Sequence, residues 1–149
     1  MDTTFTLTIL AAALAVFAPC LDNGFTSWDD DVYVTANPLV TGGFPGNTGA
    51  ILTSYVSGNY QPLVVLTHAV EHRLFGVTPR PYHAANLALH LVVTALVFNL
   101  LLTILGGDLA AAAAGTLFFA VHPLRVEPVA WVAGRKDLYL IETVLEKPT

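Results

Sequence analysis

The sequence predicts an all-α integral membrane protein, with about three membrane-spanning helices and a large first loop outside the membrane. Three observations predict it. Hydrophobic residues make up 54% of the 149 and charged residues only 11%, well below the ~25% charge of soluble domains. Mean hydropathy is +0.63. The apolar residues gather in long blocks, and Gly-, Pro- and Asp-rich stretches separate the blocks. The lipid bilayer is therefore the first partner. A formal net charge of −5 with no basic run excludes a nucleic-acid partner. Cys20 stands alone, so no internal disulfide frames the fold.

The first block covers residues 3–20, long enough at ~1.5 Å per residue to nearly cross a ~30 Å hydrocarbon core. A signal peptide is the competing reading. No Lys or Arg precedes the block and no small-x-small cleavage site follows it, which favours an uncleaved span. The missing basic flank implies that residues ahead of Met1 are absent from this chain.

Residues 21–81 form the non-membrane region. It opens on LDNGFTSWDDDVYVTANP and runs through the Gly-rich VTGGFPGNTGA, which reads as loop. Leu63, Leu66, Val70 and Leu74 then recur at helical spacing behind Pro62, a residue suited to a first helical turn. With Glu71 and Arg73 on it, this amphipathic helix is expected to lie on the membrane rather than cross it.

The second block is 82–105, with His83, Asn86 and His90 on one helical face; these read as interhelical hydrogen-bonding residues. Gly106-Gly107-Asp108 is a tight connection. The third block, 109–121, is short at ~20 Å, and its alanines suit close helix packing. A hairpin of two helices places the loop around Asp29 and the stretch after Val121 on the same side of the membrane.

That stretch, residues 122–138, is the most chemically loaded part of the chain. His122 to Asp137 reads HPLRVEPVAWVAGRKD and holds three of the six Lys and Arg residues. Charges this close to lipid-compatible sequence belong at a membrane surface or in a polar cavity. Arg125 and Arg135 can fork onto phosphate, Lys136 supplies a compact cation, and His122 and Glu127 stand among them. The plainer counterpart is a juxtamembrane cluster touching lipid headgroups. Asp29, Asp30 and Asp31 repel one another, a setting that prepares a carboxylate as a base or a divalent-metal ligand; a solvated acidic turn is the plainer reading there. His68-Ala69-Val70-Glu71-His72 matches the H-x-x-E-H pattern of inverted zinc proteases, with no well-placed downstream carboxylate. Residues 139–149 begin like a fourth helix and end as IETVLEKPT, which cannot span.

In order, WDDDVYVTANP, NYQPLVVLTHAVEHRLFG, PYHAANLALHLV and FFAVHPLRVEPVAWVAGRKDL resemble the N-terminal part of bacterial polytopic glycosyltransferases with C-terminal tetratricopeptide repeats. Those proteins are similar to the eukaryotic transmembrane and tetratricopeptide O-mannosyltransferases of the GT-C fold. The resemblance spans Phe25 to Leu138. It implies an N-terminal fragment with an incomplete GT-C fold, inactive by itself, from an enzyme of the bacterial inner membrane. Such an enzyme takes a sugar, mannose in the eukaryotic case, from a polyprenyl-phosphate donor and passes it to an acceptor protein. It further implies catalytic Asp29, Asp30 and Glu127, and substrate-binding His122, Arg125, Arg135 and Lys136. One aspartate would act as base on the acceptor hydroxyl or hold a divalent metal near the phosphate; no metal ligand is assigned. Arg125, Arg135 and Lys136 would meet the lipid phosphate, with Glu127 orienting them or assisting the acceptor. The motif side would be extracytoplasmic, although the positive-inside rule puts that Arg- and Lys-bearing face in the cytoplasm. The resemblance also retires the zinc reading of residues 68–72.

Overall fold

The computed structural model describes residues 3–139. Its described residues are helical, joined by turns and a single isolated bridge between Val56 and Asn59. Helix α1 (Thr3–Phe17) runs on as a 3₁₀ turn, Ala18–Asp22, because Pro19 cannot donate to the continuing α ladder. The first loop folds into the turn Asp31–Thr35, the short α2 (Pro38–Thr41) and α3 (Thr48–Thr53), and then α4 (Pro62–Phe75). Pro62 opens α4 and Gly76, at φ +62°, ends it. Helix α5 (Pro79–Ile104) carries Pro79 and Pro81 in its first turn. Gly106 and Gly107, both at positive φ, make the reversal, and Asp108 caps α6 (Leu109–Ala120) by accepting from the N–H groups of Ala110 and Ala111. A 3₁₀ turn Pro123–Arg125, α7 (Val126–Ala130), a second 3₁₀ turn Val132–Gly134 and a helical turn at 135–139 complete the described chain.

Two stretches, Thr3–Asp22 and Pro79–Ile104, are long and apolar enough to cross a membrane. Helix α6 is too short alone, at ~18 Å. It reaches span length only when joined to Pro123–Ala130 across a 54° bend. The expected third block, 109–121, coincides with α6, and the bend at His122-Pro123 falls just after it. The expected second span begins three residues early, at Pro79. Residues 140–149, nearly all of the predicted tail, lie outside the described part.

Helices α1, α5 and α6 pack around Ile9, Ala13, Phe98, Ala112 and Ala120. The small residues bring backbones close: a Cβ on Gly115 would sit 3.0 Å from Leu101 Cδ1. Leu7, Leu14, Val16, Ile104, Leu117 and Phe118 point outward, as lipid-facing residues do. The first loop packs with Tyr82 of α5 and the turn Val132–Gly134 into a second core at one end of the bundle: Tyr33, Val34, Val40, Ile51, Val65, Ala69, Tyr82, Val132 and Ala133. Fully burying a Val or Ile stabilises by ~1.5–3 kcal/mol, so this loop is a packed layer.

Helix α4 lies in that layer, turned about its axis from the sequence expectation. Val64, Val65, His68, Ala69 and Glu71 face inward, whereas Leu63 and Leu74 of the predicted stripe are exposed. Glu71, expected on the polar face, is buried. The reason is a cation supplied from the far end of the chain.

Candidate active site

Of the three adjacent aspartates the fold buries one. Asp30 is fully buried; Asp29 is half-buried and Asp31 exposed, its carboxylate accepting its neighbour Val32's N–H at 2.8 Å. Asp30 Oδ2 accepts from the backbone N–H of Thr26 at 2.8 Å and from its Oγ1 at 3.2 Å. Oδ1 accepts from the N–H of Ala133 at 2.9 Å. That last bond joins positions 103 residues apart and brings the acidic loop onto the HPLRVEPVAWVAGRKD stretch, as the hairpin topology anticipates.

Arg135 is the largest fully buried side chain. Its Nε donates to Asn86 Oδ1 at 2.6 Å, Nη1 to Thr67 Oγ1 at 3.0 Å and to the Glu71 carboxylate at 2.9 Å, and Nη2 to the Tyr82 carbonyl at 3.0 Å. Assigning it to a lipid phosphate does not fit this arrangement. A buried charge is held by pairing, and each nitrogen of this guanidinium already has a protein acceptor.

Asn86 also donates to the Trp131 carbonyl at 2.9 Å, and His90 Nε2 meets the Ala120 carbonyl at 2.9 Å. Two of the three polar residues on the α5 face thus make the expected links between elements. His68 Nδ1 lies 3.4 Å from Glu71 Oε2. Burial, partly opposed by Glu71, pushes its pKa down to about 4. The imidazole is neutral near pH 7, so this contact is a long hydrogen bond rather than an ion pair.

The remaining candidates are spread over separate surfaces. Arg125 lies over the Phe119 ring, 4.8 Å from its centroid, a cation–π contact. It shares a groove with His122, Phe118 and Phe119. His122 Nδ1 accepts from the N–H of Leu124 at 3.2 Å and caps the turn after the break. Lys136 lines a different groove, with Tyr60, Gln61 and Leu63. Glu127 is exposed and lines an open cleft of about 420 Å³ with Thr26, Trp28 and Trp131. Thr26 is the residue that holds Asp30. The acidic loop and Glu127 therefore meet, whereas Arg125, Arg135 and Lys136 do not converge on one point.

Residues 1–149 carry a strong likeness to curated proteins. They are 38% identical over 136 residues to protein O-mannosyl-transferase Tmtc1 of Drosophila melanogaster, which is 86% of this chain and 16% of that protein. They are 38% identical over 135 residues to Tmtc2 of the same organism, 85% of this chain and 14% of that protein. Human protein O-mannosyl-transferase TMTC1 is 35% identical over 144 residues, again 86% of this chain and 16% of the relative. The chain is a homologue of the protein O-mannosyl-transferases. It spans about one sixth of the length of these relatives. No family model and no solved structure matches it. The relatives are eukaryotic, so the likeness carries no bacterial assignment.

Against the mannosyl-transferase likeness, the donor set of the site can be tested for a metal. Among the described residues no three His, Cys, Asp or Glu side chains come together as a metal would require. Both oxygens of Asp30 already accept hydrogen bonds from the chain. Among the described residues, the side chains present thus do not fit a protein-held divalent ion. Sequence reasoning missed Thr67, Glu71 and Asn86 as partners of Arg135. A glutamate three residues after a histidine on α4 was the available signal. Trp28 and Trp131 were also missed; each stands beside a motif carboxylate, with no spacing rule to select it.

Proposed function

We propose that the chain carries part of the transfer site of an integral membrane glycosyltransferase. On this reading the enzyme moves a sugar, mannose on the pattern of its relatives' names, from a polyprenyl-phosphate donor to a protein hydroxyl. The bond from Asp30 to the Ala133 N–H carries the reading, because it assembles the acidic loop and the charged motif at one end of the bundle. The motif end would face the extracytoplasmic side.

The roles divide by exposure. Asp29 takes the acceptor proton, as the half-buried carboxylate next to the fixed Asp30. Glu127, at the rim of the cleft, orients the sugar or the acceptor. The acceptor oxygen bonds to the anomeric carbon as the bond from that carbon to phosphate oxygen breaks. The polyprenyl phosphate leaves as its anion; Arg125 and His122, in a separate groove flanked by the outward-facing Phe118, bind donor or headgroup phosphate away from the reacting atoms. Asp30 and Arg135 hold this arrangement together without touching substrate. Lys136 meets headgroup phosphate in its own groove.

The test expresses the longest open reading frame containing this chain in membranes and supplies a radiolabelled polyprenyl-phosphate sugar. Asp29→Asn should lower transfer by ~10²-fold or more, the usual contribution of a positioned base. Arg125→Ala should raise the donor concentration needed. Normal transfer by Asp29→Asn removes the base assignment, and no transfer from any donor removes the enzyme reading.

A further inference from the structure

Two indoles and one carboxylate meet in the cleft that Thr26, Trp28, Glu127 and Trp131 line. Its volume of about 420 Å³ lies within the ~300–1,000 Å³ range of small-molecule sites. Trp28 stands 82% exposed and Trp131 half-buried, with Glu127 exposed at the rim. The charge around the cleft is uncompensated. Among the described residues the ion pairs take up Asp22 and Glu71, and no cation pairs with Glu127 or with Asp29 and Asp31, which follow Trp28. Arg135 is enclosed by its own acceptors, and Arg125 and Lys136 line other grooves. Indole is the ring whose face attracts a cation most strongly, and a carboxylate beside it supplies a counter-charge.

We infer that the cleft takes a lysine or arginine side chain of the acceptor polypeptide: the cationic head lies against the indoles and Glu127 is its counter-ion. The inference rests on the glycosyltransferase reading, and of sugar and acceptor it assigns Glu127 to the acceptor. A basic side chain matches each part of this lining. Its methylene stem covers apolar wall, and its head meets both π surface and carboxylate. An ammonium-bearing lipid headgroup matches less well, because its phosphate would enter beside Asp29 and Asp31 with no cation in the cleft to receive it. A neutral apolar side chain would cover the indoles and strip water from Glu127 with nothing in return. The walls are also held in place. Thr26 is fixed by Asp30, and the Trp131 carbonyl is fixed by Asn86, so both sides have tethered backbones.

The test uses the longest open reading frame containing this chain, in nanodiscs, and two tripeptides: acetyl-Thr-Lys-Thr-amide and the same peptide with norleucine in place of lysine. Each is titrated to about 100 mM, since a site for one side chain binds in the millimolar range or weaker, and saturation-transfer NMR reads the peptide protons. The lysine peptide should bind saturably and roughly three- to tenfold more tightly than the norleucine peptide. Raising salt from ~0.05 to ~0.5 M should narrow that gap, because an exposed charge pair is screened. Trp28→Ala, at an exposed position, should weaken lysine-peptide binding about two- to fivefold, and Glu127→Gln should remove most of the salt dependence. Equal binding of the two peptides by wild type, or no saturable binding of the lysine peptide, overturns the subsite. So does lysine-peptide binding unchanged in both variants. Phosphocholine that displaces the lysine peptide at equal or lower concentration also overturns it, and makes the cleft a headgroup site. Sugar transfer at equal rates to both peptides overturns the subsite and leaves the transfer reading standing. Lysine-peptide binding that needs Trp28 and Glu127, with no transfer, supports a basic side-chain site and removes the transfer reading.

Discussion

The internal position of Arg135 has a direct energetic consequence. Replacing it with Met keeps an unbranched side chain in the space and removes the charge. The Glu71 carboxylate, whose side chain is 11% exposed, then lacks a counter-ion, and Asn86 Oδ1 and the Tyr82 carbonyl lose their donor. Removing one partner of a buried ion pair destabilises by ~3–5 kcal/mol, because the other charge stays buried. Glu71→Leu should be at least as damaging, since the cation it strands is completely buried. The double variant Arg135→Met/Glu71→Leu removes both charges and should recover ~2 kcal/mol or more relative to the worse single change. Equilibrium unfolding in mixed micelles, followed through tryptophan fluorescence, measures all four corners of this cycle. Raising salt from ~0.05 to ~1 M should alter the coupling little, because buried pairs are poorly screened. An Arg135→Met protein within ~1 kcal/mol of wild type would refute the assignment. Additive single effects would refute the pairing.

Three further outcomes follow from other contacts. His68 has its pKa lowered from 6.5 to about 4 in the fold, so between those values the unfolded chain binds the proton first. Stability should be full above pH ~6.5 and decline toward pH ~4, by up to ~3 kcal/mol; denaturation of His68→Gln at pH 7 and pH 5 should show a smaller decline. Gly134→Ala should destabilise by ~1–3 kcal/mol, because the new Cβ would lie 2.8 Å from the Glu127 carbonyl oxygen and 3.1 Å from Pro128 Cα, both backbone; a Tm unchanged by this substitution would contradict the tight turn. Asp30→Ala removes three hydrogen bonds to a buried carboxylate and should lower stability by ~2–3 kcal/mol, with amide hydrogen exchange at Ala133 accelerated above the global change.

Much of the fold was legible because lipid imposes a coarse rule. Apolar blocks at 3–20 and 82–105 become helices because every backbone group there must be satisfied within the segment. Pro62 marked a helix start, and Gly106-Gly107-Asp108 a reversal, for local reasons that tertiary packing did not override. The end of the third block at Val121 was legible, whereas the 54° bend that returns the chain as Pro123–Ala130 was not. Helix α4 shows the same limit more sharply. Its leucines have the right spacing for a buried stripe. The buried face was chosen instead by Arg135, which needed Glu71 and Thr67 and could be matched to them only in three dimensions. The site divides likewise. Neighbouring charges in RKD look alike in sequence, yet burial sends Arg135 inward and leaves Lys136 in a groove.

That division explains how a polar site can be rigid at the end of an apolar bundle. The segment 131–135 is gripped from several directions: Ala133 by Asp30, the Trp131 carbonyl by Asn86, and Arg135 by Glu71, Thr67 and the Tyr82 carbonyl. The grips come from three parts of the chain: Asp30 of the first loop, α4 and α5. A substrate-facing group is only as well placed as the residues behind it, and an error near 1 Å is enough to disable a site. Here the gripping residues are the buried polar ones, and the presenting residues, Trp28, Glu127 and Arg125, are the more exposed. Substitutions in the first set should therefore lower stability and activity together. Substitutions in the second should lower ligand binding or transfer while unfolding stays near wild type. A stability loss for Glu127→Gln as large as that for Arg135→Met would break the division.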